Sequence, residues 1–169
     1  MEVLKKTIIL GIVVLITLCI QTIALPSNRE SKIEDRKLPE MKTETKTEVK
    51  IKQEWKGSYC GYTESSSLVI KDKDQWREIW AKVYALQLPK PDLPEINFEK
   101  DMIIAVFMGE HGSGGFSIEI KDIFKTDKEI VVEVEERKPD HGSIVTMALT
   151  QPYHIVVISI SPLPLDIRR

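Results

Sequence analysis

Apolar positions between residues 55 and 169 follow two periods, and each switch of period marks an element. Trp55-Lys56-Gly57-Ser58-Tyr59-Cys60-Gly61-Tyr62 alternates bulky and small residues and predicts a strand bent at a glycine; Leu68-Val69-Ile70 is a short second strand. Trp76, Ile79, Trp80 and Val83 then fall at i, i+3, i+4 and i+7, one apolar stripe on a helix whose other faces carry Lys73, Asp74, Arg77, Glu78 and Lys82. Asp72 stands where it caps that helix, with Gln75 at the third helical position to complete a reciprocal cap. Two tryptophans one turn apart suit a sugar or peptide platform, but their place in the stripe favours packing of the helix on a sheet.

Three prolines between Leu88 and Phe98 make that stretch an extended connector. Asp101 to Met108 is apolar almost throughout, the pattern of a central strand covered on both faces. Phe116–Ile123 and Glu129–Arg137 alternate and predict neighbouring antiparallel strands. Lys138-Pro139-Asp140-His141-Gly142 has turn chemistry, and strands are expected over Ile144–Thr150 and His154–Ile160. The sum is α+β: a mainly antiparallel twisted sheet or partly rolled barrel of about seven strands, with one amphipathic helix packed on it.

Ahead of this domain, assigned to residues 55–169, the pattern changes twice. Lys5 and Lys6 precede Thr7 to Ile20, fourteen uncharged residues spanning roughly 21 Å as a helix at about 1.5 Å each. A hydrocarbon core needs about 30 Å, so residues 1–25 read as a cleaved export signal, with an amino-terminal anchor or lipid modification at Cys19 as alternatives. Residues 26–54, with eight basic and seven acidic residues and no aromatic before Trp55, read as a charged linker. The expected location is extracytoplasmic, secreted or tethered to the envelope, with membrane contact only through the amino-terminal segment. Once Cys19 is removed, Cys60 is the one cysteine left, so no internal disulfide forms; it is then a buried inert thiol, a partner for another chain, or a nucleophile.

Charge excludes one class of partner: 24 basic against 26 acidic residues give no uniform positive field for nucleic acid. Gly109-Glu110-His111-Gly112-Ser113-Gly114-Gly115 holds four of eight glycines, yet lacks the Lys-Ser/Thr ending of a phosphate loop and is followed by a strand pattern. His111-Gly112-Ser113, echoed by His141-Gly142-Ser143, supplies hydrolase residue types without the Gly-x-Ser-x-Gly elbow. His111, His141 and His154 would suffice for a catalytic zinc, but no pair has the short spacing of such sites, and a histidine such as His154 also serves by bonding a backbone carbonyl. These residues single out no catalytic, metal or cofactor site, although a triad, recognised by geometry and not by sequence order, stays open.

The order of landmarks carries a resemblance. Trp76 and Trp80, Pro94 and Phe98, Gly109, Ser113-Gly114-Gly115-Phe116-Ser117-Ile118, Pro139 and Gly142, then Thr150-Gln151-Pro152-Tyr153-His154-Ile155-Val156 together resemble the PrcB carboxy-terminal domain family, from Tyr59 to the end. The resemblance implies a non-enzymatic accessory subunit that associates with, and stabilises, a subtilisin-like cell-surface protease. Loops held by a sheet carry recognition, so the expected partner-binding residues are Gly109, His111, Gly112, Ser113, Gly114, Gly115, Phe116, Pro139, Gly142, Pro152, Tyr153 and His154. Two other functions are open at this stage: a small metal-assisted hydrolase using the three histidines, and a protease inhibitor presenting Leu88–Pro94.

Overall fold

The computed structural model describes residues 45–169. Strands β1 (Thr47–Glu48), β2 (Gln53–Gly57) and β3 (Ser66–Ile70) precede helix α1 (Lys73–Val83). After it come β4 (Asp101–Phe107), β5 (Ser117–Lys125), β6 (Ile130–Arg137), β7 (Tyr153–Ser159) and β8 (Leu165–Arg168). They form two four-stranded sheets, β1-β5-β6-β8 and β2-β7-β4-β3, antiparallel except for the β6–β8 pair. The class is α+β as expected. The single sheet or barrel of seven strands is corrected to eight strands in two open sheets, with β1 and β8 added and the strand over Ile144–Thr150 absent.

Side-chain alternation builds three layers from the central β2-β7-β4-β3 sheet. Ile103, Ala105 and Phe107 of β4, with Tyr153, Ile155 and Val157 of β7, meet Trp76, Ile79, Trp80 and Val83 of α1. Their alternates, Met102, Ile104, Val106, Val156 and Ile158, meet Ile118, Ile120, Ile123, Ile130, Val132 and Val134 of the other sheet. A strand buried on both faces cannot alternate, which is why β4 and β7 are continuous apolar runs.

The helix is held as its pattern required. Asp72 accepts a hydrogen bond from the backbone N–H of Gln75 at 2.8 Å, satisfying a donor that the helix leaves free. The tryptophans are core: Trp76 and Trp80 are buried 5.0 Å apart, and Trp55 of β2 packs on them at 5.7 and 5.5 Å. Their indole N–H groups donate to the carbonyls of Pro94 and Pro91, so the polar end of each buried ring is paired and the proline-rich connector is strapped to the helix.

The folded unit starts earlier than Trp55. Thr47 and Glu48 pair with Lys125 and Phe124, Val49 and Ile51 pack on the inter-sheet core, and Gln53 and Glu54 pair with Val157 and Val156. Charge had marked these residues as linker; two alternating apolar side chains and backbone pairing at the sheet edges outweigh it. Residues 1–44, including the signal or anchor, Cys19 and the rest of the linker, lie outside the described residues. Among those described, no helix is long and apolar enough to cross a membrane.

Candidate partner-binding pole

The register gives the domain two poles. One pole collects Gly57, Ser66, Phe107 and Tyr153, the ends of all four central strands, together with the carboxyl end of α1, where the Tyr153 hydroxyl donates to that of Tyr84 at 3.2 Å. The loops after β2, α1, β4 and β6 gather there. The chain enters the domain at the opposite pole, where β1 lies beside Lys125.

At the first pole the glycine loop and the segment after Pro139 form one body. His111 and Thr150 exchange backbone hydrogen bonds of 2.8 and 2.9 Å, the Gly114 N–H donates to the Thr146 carbonyl at 2.9 Å, and the Thr150 hydroxyl donates to the Ser113 carbonyl at 2.8 Å. The glycines permit this contact. A Cβ on Gly114 would come within 2.4 Å of the Thr146 hydroxyl. Gly115 has a φ of +87°, and a Cβ there would lie 3.0 Å from the Pro139 ring. His111 stacks face to face on Phe116, 4.0 Å between centroids at 6°, closing the loop on itself.

The expected binding residues therefore separate into two groups. Gly109, His111, Gly112, Ser113, Gly114, Gly115, Phe116, Pro139 and Gly142 lie in the joined loops at this pole. Pro152, Tyr153 and His154 are buried and offer no surface: Tyr153 faces α1, and His154 faces the second sheet. Apart from Leu88, the exposed apolar side chains were not anticipated. Tyr59, Leu86, Leu88, Ile144, Met147 and Leu149 are six of the seven exposed large hydrophobics among the described residues, and Ile144 and Met147 are fully exposed at 103% and 99%. Three of them lie in an uncharged run from Gly142 to Tyr153, of which Ile144–Thr150 was expected to be a strand.

The hydrolytic readings find no assembled site. His154 accepts the backbone N–H of Ile120 on Nδ1 at 2.8 Å, so its proton sits on Nε2, which faces Glu54 at 3.4 Å. That is the reverse of the expected bond to a carbonyl. Burial holds the ring below the ordinary histidine range, with the Glu54 carboxylate partly opposing the shift. His141 is exposed in its turn, and no three of the described His, Cys, Asp and Glu residues are placed to hold a metal ion. No serine hydroxyl is hydrogen-bonded to a histidine among the described residues: Ser113 Oγ donates to the Gly114 carbonyl. Cys60 is buried, its thiol donates to the Gln151 carbonyl at 3.2 Å, and desolvation pushes its pKa up, away from the reactive thiolate. In the proline-rich connector, Pro91 and Pro94 turn their carbonyls to the helix tryptophans, so the stretch is not presented as a free extended strand.

Residues 102–159, from β4 through β7, match the PrcB C-terminal family model. That segment is similar to the PrcB C-terminal domain. The matched segment is about a third of the chain and contains the glycine loop and the whole excursion from Lys138 to Pro152; α1 and β8 lie outside it. No curated protein and no solved structure matches the chain.

Proposed function

We propose that this protein is an exported, non-catalytic binding module that docks on a subtilisin-like protease of the cell envelope and stabilises it. The observation that carries the reading is the concentration of exposed apolar side chains at one pole, on loops braced by the PrcB C-terminal segment. Soluble domains seldom leave such a patch uncovered unless something else covers it. Export is supported by the charged start and uncharged run of residues 1–25, and the accessory role by the family. The inhibitor reading is weaker because its connector is tied to the helix.

The test is isolation of the tagged full chain from envelope fractions after mild crosslinking, with mass spectrometry of co-purifying proteins and of its own amino terminus. Recovery of a subtilisin-like protease, lost from an Ile144→Asp/Met147→Asp variant that still folds, is the expected result. Recovery of the chain alone overturns the protease reading, and metal bound to the purified protein would revive the hydrolase.

A further inference from the structure

The segment Ile144-Val145-Thr146-Met147-Ala148-Leu149 has strand-forming composition and no strand partner. On one side it is held to the glycine loop by Thr146 and Thr150. Thr146 and Thr150 turn backbone groups to the glycine loop, whereas Val145, Met147 and Leu149 turn none there. The backbone groups of these three make no hydrogen bond among the described residues. Next to this open edge, Ile144 and Met147 project fully into solvent.

The geometry points to addition of one extended, uncharged, apolar polypeptide segment of a partner protein along the outer edge of Val145, Met147 and Leu149. Main-chain pairing supplies the affinity in such addition, and the flanking side chains supply the selectivity. The chemistry of the occupant follows from the edge: Gly142 to Tyr153 contains no charged residue, so it offers an incoming strand no ion pair, and an apolar segment covers Met147 at least cost. A protein fits better than a lipid surface because only a polypeptide can pair with unpaired backbone N–H and C=O groups. The inference rests on the proposed binding role and specifies its mode.

The experiment titrates isotope-labelled full chain with the uncharged peptide acetyl-Gly-Val-Thr-Val-Ile-Val-Gly-amide and with the same peptide N-methylated at alternate residues, followed by amide shifts and hydrogen exchange. Expected is perturbation centred on residues 144–149, with at least tenfold slower exchange at Met147, no response to the methylated peptide, loss in Met147→Pro and retention in Met147→Thr. Met147→Thr changes only an exposed side chain and is the fold control, and an unchanged Gly114 amide shift in Met147→Pro shows that the bond to Thr146 is kept there. Equal response to the methylated peptide, silence at 144–149, protection that grows with protein concentration alone, or protection given only by phosphatidylglycerol vesicles each overturns the inference, the last two in favour of a second copy or a membrane. The outcome is separable from the proposed function: peptide pairing without any protease leaves the edge standing and removes the partner assigned to it, whereas protease capture with residues 144–149 silent does the reverse.

Discussion

His154 is buried to 1% and keeps its proton on Nε2 because Nδ1 is engaged by the Ile120 N–H, beside the bulge between Ile120 and Asp122 in β5. Protonating Nδ1 would sever that bond and bury a charge, and of the groups near the ring Glu54 and Glu119 favour the cation while Lys56 opposes it. The folded-state pKa is therefore depressed from 6.5, and the unfolded chain takes up the proton first as pH falls. Stability is fully present above pH 6.5 and declines below it, at a limiting slope of about 1.4 kcal/mol per pH unit for one proton. Thermal denaturation between pH 7.5 and 5 should show this decline, and His154→Asn, whose Oδ1 takes the place of Nδ1 as acceptor for Ile120, should flatten it while lowering stability by about 1 kcal/mol at pH 7.5. Glu119 does not confuse the reading: Lys121 and Lys56 hold its carboxyl at about 2, so its contribution is lost only as pH falls below 4.5. An unchanged slope in His154→Asn would place the titration elsewhere. The sequence singled out His154 as notable but not its partner, because the Ile120 N–H stands on another strand, beside a β-bulge that no local pattern announces.

Elements whose cause is local were legible, and elements whose cause is a distant strand were not. The stripe and cap of α1 lie within a dozen residues, and both form as the pattern requires. Removing the cap by Asp72→Ala should cost about 1 kcal/mol in chemical denaturation; no change would mean that packing of Trp76 and Trp80 alone fixes the helix start. By contrast, β2 finds β7 a hundred residues away, and β8 lies parallel to β6, pairings that periodicity does not encode. The same blindness explains the missing strand at Ile144–Thr150: its composition is that of a strand, but the element beside it is the glycine loop, which pairs through Thr146 and Thr150 alone. Gly115 sets how closely these two segments approach. Gly115→Ala forces a side chain into φ +87° against Pro139, which should cost about 1–2 kcal/mol and speed amide exchange at Gly114 and Thr150. Exchange there unaffected by the substitution would show that the loops do not depend on each other.

Across the whole molecule, burial and exposure divide the conserving work of folding from the work of recognition. Of the residues expected for binding, Tyr153 and His154 stand on a strand covered on both sides and Pro152 is buried just before it, while Ile144, Met147 and Leu149 of the preceding loop stay exposed. These two classes respond oppositely to substitution. Tyr153→Phe removes a buried hydroxyl that donates to Tyr84 and should cost about 1 kcal/mol of stability with partner affinity unchanged. Ile144→Asp with Met147→Asp changes two side chains that touch nothing in the domain, so stability should shift by no more than about 0.5 kcal/mol per site. Partner affinity should fall at least tenfold, equivalent to about 1.4 kcal/mol, because a charge would replace each apolar contact that a partner covers. Denaturation and binding measured on the same four proteins, the unchanged chain, each variant and their combination, separate the two classes: affinity that tracks stability would make the pole a by-product of folding, whereas affinity lost only with Ile144 and Met147 makes it the recognition surface.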